Sequence, residues 1–153
     1  RDTGFESDRD LHLALNAGLP LVDPTGGFYY VFLGGLPMFR KYDAKGMLLF
    51  ERHIEGVEVD SLIATLPNKW PTRRVEDREL PLVPPTIRTA AVDGRGRLWI
   101  SLSLPYTYVY DPQGDKVRTI QFNAAGVVSP TSLFFTRDGR LLITPGCYEF
   151  SPG

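Results

Sequence analysis

One phrase occurs twice in this chain and constrains its fold more than any other feature. Residues 36–46 read LPMFRKYDAKG and residues 104–114 read LPYTYVYDPQG, so that Leu-Pro, Tyr-Asp and Gly recur 68 positions apart, from Tyr42 to Tyr110. A further match relates Arg97 to Arg140, 43 positions later. A period in the forties indicates that the chain builds one supersecondary unit several times.

Each repeat is predicted to be an antiparallel meander of short strands joined by tight turns. Asp111-Pro112-Gln113-Gly114 is typical of these turns, because Asp, Pro and Gly stand where a type I turn prefers them. The almost unbroken apolar run at 28–33 is expected of a strand that is covered on both faces. The predicted strands are at 19–22, 28–33, 39–42, 47–53, 89–92, 98–102, 106–110, 116–122, 132–136 and 140–143.

An insertion separates the first repeat from the second. Between Ile54 and Pro85, four apolar residues lie at i, i+3, i+4 and i+7, which predicts one short helix with a buried face: Val59, Leu62, Ile63 and Leu66. Pro67 is expected to end this helix. The remainder is rich in proline and mixed in charge, so we expect an irregular loop with Trp70 covering an edge of the strands.

The repeated segments resemble the six-bladed β-propellers of the NHL and TolB-like group. The resemblance lies in a Gly-Arg-Leu-x-Ile second strand and a Tyr-Asp-x-x-Gly outer turn, at 96–100, 139–143, 42–46 and 110–114. It implies an all-β fold of antiparallel four-stranded blades in an incomplete arc, with one short helix in an inter-blade insertion. Residues 1–153 would then be a single partial propeller domain, with blades at 18–53 and 86–122, the helical insertion at 54–85 and an incomplete blade at 129–150.

Composition excludes some classes of function. Lysine and arginine number 17 and aspartate and glutamate 18, a net charge of −1, which argues against a nucleic-acid partner. No apolar run approaches the length of a membrane span. Cys147 is the only cysteine and is compatible with the cytosol and with export, so the compartment stays open, with a periplasmic or secreted location favoured.

Motifs that carry chemistry are missing from the sequence, so we predict no catalytic residue, no metal site and no cofactor. His12 and His53 are isolated, and His53 is interpreted as a solvated residue at a strand end. Cys147 is interpreted as a small buried hydrophobe, with a thiol at the mouth of the fold as the alternative.

Five residues are predicted to bind a ligand. Trp70, Arg73 and Arg74 lie in the insertion, where aromatic and arginine side chains on a loop are typical binding anchors, although a merely solvated loop is equally compatible. Tyr106 shares a face with Tyr108 and Tyr110, and these rings either pack between sheets or form a ligand platform. Tyr148 lies in a loop that the resemblance places on the same face as the insertion.

The function predicted from these features is that of a non-catalytic binding or scaffold module, which recognises a peptide, glycan or protein partner on the insertion face. The alternative is a metal-dependent, lactonase-like hydrolase, which the resemblance also allows. Its metal ligands could come only from Asn123 and Asp93 in this sequence. A calcium-dependent thermal shift would separate the two readings.

The length of the chain leads to two further expectations. At 43 residues per blade, the chain is too short for a six-bladed ring, so we expect it to be part of a longer protein. We further expect self-association through blade faces that remain uncovered.

Overall fold

The fold is mostly β, with antiparallel sheets and two helices. A computed structural model describes residues 1–122, 129–146 and 148–151. The expectation of an antiparallel β protein is therefore confirmed. Neither helix of the described chain is long and apolar enough to cross a membrane.

The elements follow in chain order as α1 (Arg9–Asn16), β1 (Gly18–Val22), β2 (Phe28–Phe32), β3 (Met38–Tyr42), β4 (Leu48–His53), α2 (Val57–Ala64), β5 (Thr72–Val75), β6 (Arg78–Pro81), β7 (Ile87–Val92), β8 (Leu98–Leu102), β9 (Thr107–Tyr110), β10 (Lys116–Ile120), β11 (Ser132–Phe135), β12 (Leu141–Thr144) and β13 (Tyr148–Phe150).

The resemblance to six-bladed β-propellers is wrong. The described strands form four separate antiparallel sheets of four, two, four and three strands, and none of them is closed or arranged as a propeller. We call β1–β4 the first sheet, β7–β10 the middle sheet and β11–β13 the third sheet. The physical reason is that the repeated phrase determines local meanders and their turns, which many β architectures share.

The turns that the repeat predicted are present and nearly identical. In each of five turns, a glycine N–H donates to the carbonyl three residues earlier, at 3.0 Å in every case: Gly26 to Asp23, Gly46 to Asp43, Gly96 to Asp93, Gly114 to Asp111, and Gly139 to Thr136. These glycines have φ between 75° and 135°, which side chains with a Cβ rarely adopt. The glycines therefore set the register of the hairpins.

The middle sheet is covered on both faces. Alternate residues such as Leu98 and Ile100 pack against the first sheet, in a cluster with Tyr29 and Phe39. The residues between them, such as Trp99, pack against the third sheet in a second cluster with Leu133, Leu141 and Ile143. Every residue of β8 is consequently buried, because each side chain meets a neighbouring sheet.

Helix α1 is formed by residues whose leucines at 11, 13 and 15 alternate as they would in a strand. Asp8 caps the helix by accepting a hydrogen bond from the Leu11 N–H at 3.1 Å. Leu11 and Leu15 are buried four residues apart, whereas Leu13 is 56% exposed. A spacing of four places both buried leucines on one helical face.

The insertion contains the predicted helix and also a hairpin. Helix α2 ends at Ala64, so Leu66 lies beyond it, and the fully buried Val59 anchors the helix on the first cluster with Leu62 and Ile63 beside it. Residues expected to form an irregular loop instead pair as β5 and β6. Arg78 of this hairpin contacts Asp10 of α1 at 3.1 Å, which ties the insertion to the helix.

A buried ion pair joins the β1–β2 turn to β3 in the first sheet. The Lys41 ammonium donates to the Asp23 carboxylate and, at 3.1 Å, to the Gly26 carbonyl, and it lies 4.1 Å from the Tyr29 ring centroid. Thr25 donates to the other carboxylate oxygen of Asp23 at 2.7 and 2.8 Å. Burial alone would raise the pKa of Asp23, but the hydrogen bonds from Lys41 and Thr25 outweigh it and the pKa is lowered.

We predict that Asp23→Asn costs about 3–5 kcal/mol of unfolding free energy at neutral pH, because it leaves a buried ammonium without its carboxylate. Urea denaturation measures this. Asp43→Asn is the matched control, since Asp43 occupies the same place in the β3–β4 turn, accepts from the Lys45 and Met47 N–H groups and has no paired cation among the described residues. A control loss of less than about 1 kcal/mol is expected.

Urea denaturation at several pH values should show that the contribution of Asp23 to the free energy of unfolding depends on pH. A carboxyl whose pKa is lowered by folding stabilises the protein above its unfolded pKa of about 3.9 and loses that contribution as the pH falls through the folded value. The difference between wild type and Asp23→Asn should therefore shrink below about pH 4. A difference that is constant down to pH 2, or equal losses for both variants, would contradict a buried pair.

Candidate functional site

Trp70 is one wall of a cleft that the sequence did not reveal. The ring is 9% exposed and packs against Leu11 and Leu15 of α1, with Leu66 and Val83 beside it. It lies in the segment between α2, which ends at Ala64, and β5, so the insertion places the indole against α1. The prediction that Trp70 covers an edge of the strands is therefore replaced by contact with α1.

The floor of the cleft is the face of the first sheet that points away from the middle sheet. Met38 is paired with His53 and Arg40 with Glu51, so four side chains from β3 and β4 form a block on one face. The Arg40 Nε donates to the Glu51 carboxylate at 2.5 Å. Alternation along β3 and β4 was the signal that could have placed these residues together.

The cleft between these elements has a volume of about 440 Å³, and we call it the Trp70 cleft. Its apolar walls are Leu15, Leu36, Met38, Leu66 and Trp70, and its polar groups include Arg40, Glu51 and His53. Arg1, Asp2 and Thr3 also line the cleft, so it combines apolar walls with a polar margin, a combination found in binding sites for small molecules or for side chains of a partner.

Charges at the cleft are largely compensated. The Arg1 guanidinium donates to the carbonyls of Leu15, Gly34 and Leu36 at 2.7, 2.6 and 2.5 Å, and lies 4.3 Å from the Phe32 ring centroid. Burial, and then the neighbouring Arg40, lower the pKa of Arg1 to about 10. Because both arginines already have partners, the cleft offers apolar contact rather than a strong charge.

The two arginines predicted to bind a ligand lie outside the Trp70 cleft. Arg73 and Arg74 are exposed on β5, and the Arg74 Nη2 is 4.0 Å from Asp77 across the hairpin turn. Their side chains belong to the hairpin, whereas Trp70 belongs to the cleft. Ligand binding by Arg73 and Arg74 stays a prediction.

The two predicted tyrosines lie at different sheets. Tyr106, in the loop between β8 and β9, is half-buried and packs on the first cluster. Tyr148 opens β13 and packs on the second cluster. The structure thus brings neither together with Trp70 in the cleft, and their roles in binding also remain predictions.

The residues considered for metal binding gain no support. Asp93 accepts hydrogen bonds from the Arg97 Nε at 2.7 Å and the Trp99 indole at 3.0 Å, as well as from two backbone N–H groups. Asn123 and Cys147 lie outside the described residues. Within the described ranges, no group of three or more His, Cys, Asp or Glu side chains could hold a metal ion.

A polar contact fixes the insertion above the middle sheet. The Tyr108 hydroxyl donates to the Glu58 carboxylate at 2.6 Å, which lowers the pKa of Glu58. Lys116 lies 4.1 Å from the centroid of the Tyr108 ring and donates to the Glu55 carbonyl at 2.8 Å. A Cβ at Gly56 would lie 2.5 Å from both the Tyr108 hydroxyl and the Lys116 ammonium, so a side chain there would have to displace both groups, and the φ of 153° also favours glycine.

Tyr110 differs from its neighbour on β9. Its ring centroid is 4.8 Å from that of Phe39, and both Tyr108 and Tyr110 belong to the first cluster. The Tyr110 hydroxyl is buried and makes no hydrogen bond of acceptable geometry with the described residues. Burial raises its pKa, and the nearby Glu55 backbone acts weakly in the opposite direction.

Comparisons with known proteins do not identify the chain. No protein-family model matches it, and no curated protein matches it. A solved structure of a protein of unknown function from Bacteroides caccae is similar over 81% of this chain and 51% of that chain, with 11% identity and a TM-score of 0.32. The chain thus spans about half the length of that protein, and so low a TM-score carries no argument about either fold or function.

The two tyrosines give a matched prediction. Tyr108→Phe removes a hydrogen bond to a carboxylate and should cost about 1–3 kcal/mol of unfolding free energy. Tyr110→Phe removes a buried hydroxyl that makes no well-formed hydrogen bond with the described residues, and should be neutral or stabilising by about 1 kcal/mol. Thermal and urea unfolding of both variants measure the difference. A Tyr110→Phe loss as large as that of Tyr108→Phe would show that the hydroxyl is hydrogen-bonded in solution.

Proposed function

We propose that the protein is a non-catalytic binding module for an extended peptide segment, with the Trp70 cleft as the anchor site. The observation that carries the proposal is that two polar residues of the cleft, Glu51 and His53, lie on β4, an edge strand. A peptide that pairs with β4 would place alternate side chains on the same face, next to the cleft. The cleft would accept one bulky apolar side chain.

The edge of the first sheet supports this choice of ligand. Met47, Leu48 and Leu49 are 65%, 50% and 57% exposed at the start of β4. Proteins usually protect an exposed edge with lysine, proline or a charged side chain, as β10 does with Lys116 and Arg118. The start of β4 is apolar and unprotected, whereas its end beside the cleft carries Glu51, Arg52 and His53, so the apolar start is the part of the edge that favours pairing with another chain.

The near-neutral charge of the cleft indicates which kind of peptide side chain it would accept. Arg40 is paired with Glu51, and Arg1 is occupied by three backbone carbonyls. An acidic or basic anchor would have to displace one of these contacts, whereas an apolar anchor would gain burial against Met38, Leu36 and Trp70. We therefore expect aromatic or aliphatic anchors in the bound peptide.

The test is selection from a random-peptide phage library against the full chain, followed by measurement of Kd for the enriched peptides. Leu36→Glu puts a carboxylate into the cleft and should weaken binding at least about tenfold. Leu82→Glu is the matched control, since Leu36 and Leu82 are 43% and 46% exposed and only Leu36 lines the cleft. The control should bind as the wild type does.

Strand pairing has its own readout. N-methylation of alternate peptide amides should abolish binding in one register and be tolerated in the other, because an added strand points every second N–H at β4. Replacing Arg73 and Arg74 together by Ala asks whether the hairpin contributes. Failure to enrich any peptide, or equal binding by wild type and Leu36→Glu, would contradict the proposal.

A further inference from the structure

The two outer sheets each leave part of their outer face uncovered, and these parts are related by the repeat. On the first sheet, residues 1–16 cover the neighbouring positions: the Tyr30 hydroxyl donates to the Asn16 carbonyl at 2.7 Å, and the Arg1 guanidinium lies 4.3 Å from the Phe32 ring centroid. The middle sheet packs on the first sheet through Val92, Leu98 and Tyr110. The third sheet packs on the middle sheet through three residues that are paired across its strands in the same way. These residues are Phe135, Leu141 and Phe150. The corresponding residues of the first sheet are Val22, Phe28 and Tyr42, which register places in one row.

We call Val22, Phe28 and Tyr42 the receiving row. Val22 is 79% exposed, and the rings of Phe28 and Tyr42 are half-buried and stacked, with centroids 4.8 Å apart and planes 11° apart. Leu48, 50% exposed, is paired with Tyr42 and extends the row to the edge of the sheet. An apolar row that crosses four strands on one face is typical of a surface that another sheet covers.

The opposite end of the molecule carries the complementary row. Within the molecule, Ala91, Trp99 and Val109 of the middle sheet face the third sheet. Their equivalents in the third sheet are Phe134, Leu142 and Glu149, which we call the donating row. Phe134 is 62% exposed and Leu142 is half-buried, so this row is also open.

We infer that a second copy of this chain covers the receiving row with its donating row. The molecule already contains two contacts of this kind. The first sheet packs on the middle sheet, and the middle sheet packs on the third sheet, through equivalent rows. The contact is heterologous, because the two rows have different residues and lie at opposite ends of the series of sheets. Copies would therefore associate head to tail, each one using both of its open faces.

Charge placement agrees with this direction. Glu149 in the donating row is paired with Arg140 at 2.9 Å, so it would enter the interface already compensated. On the first sheet, the ionic residue at the same place is Lys41, which is compensated by Asp23 within the interface to the middle sheet. The known interface between the first and middle sheets and the inferred interface between copies would thus each contain one charged residue that is already paired.

The test uses two variants that block one row each, Val22→Glu and Phe134→Glu. Both positions are exposed enough for the monomer to tolerate a carboxylate, whereas burial of that carboxylate in an interface should weaken association roughly a hundredfold. Val117→Glu is the control, because Val117 is 55% exposed on β10 and belongs to neither row.

Sedimentation velocity of the full chain over a wide concentration range provides the readout. We expect the mass of the wild type and of Val117→Glu to rise with concentration, and each blocked variant to stay monomeric. An equimolar mixture of the two blocked variants should form dimers and nothing larger, because only one open row of each kind remains. Melting curves of every variant check folding, and Val22→Lys or Phe134→Ser replaces a glutamate variant that melts early.

Three results would overturn the inference. A wild type that stays monomeric at all concentrations would show that something other than a second copy covers these rows. Association of Phe134→Glu on its own would indicate that two receiving rows pair with each other. Association that neither variant weakens would place the interface elsewhere, for example at the edge of β4.

Discussion

Burial of both faces of the middle sheet is the interaction on which the rest of the structure depends. Its strands are short, and β8 has only five residues, so no single face could supply a sufficient core. Packing on two sides makes Trp99 and Ile100, neighbours in sequence, members of two different clusters. Loss of either outer sheet would expose one whole cluster, and the uniform turns hold the strands in the register that this packing requires.

The candidate site is positioned by that same packing, although none of its walls belongs to the middle sheet. The insertion leaves β4 and returns at β7, so it runs from the first sheet to the middle sheet. Val59 holds α2 in the first cluster and Glu58 holds it to Tyr108, after which the chain reaches α1 with Trp70. The cleft exists because both ends of the insertion are fixed while its middle crosses the open face of the first sheet.

The sequence predicted the strands and turns because their signals are local. Asp and Gly at a fixed spacing specify the same hydrogen bond wherever they occur, as at Asp93 and Gly96. Arrangement of the sheets is a property of side-chain packing between distant segments, and there the propeller expectation was wrong. The hairpin β5–β6 was missed for a related reason: its turn places Glu76 at a φ of 54° without the glycine that usually marks such a turn.

Helix α1 and the Trp70 cleft are two further features that the sequence alone does not predict. Leu11, Leu13 and Leu15 alternate as they would in a strand, and the helix is distinguished by the Asp8 cap and by burial of Leu11 and Leu15 against Trp70. The cleft then combines residues from five parts of the chain, among which only Trp70 stood out by its type. Residues such as Met38 and Arg40 acquire a common role only after β3 and β4 are paired.

The proposed peptide site and the receiving row occupy one face of the first sheet. Arg40 lines the cleft and Tyr42 belongs to the row, two residues apart on β3 and therefore on the same side. A ligand in the cleft and a second copy on the row would thus share a boundary, and β4 would contribute to both. Any effect of one on the affinity of the other must be reciprocal, since linkage requires equal coupling free energies in both directions. Peptide binding would then change the association of copies by the same factor as association changes peptide binding.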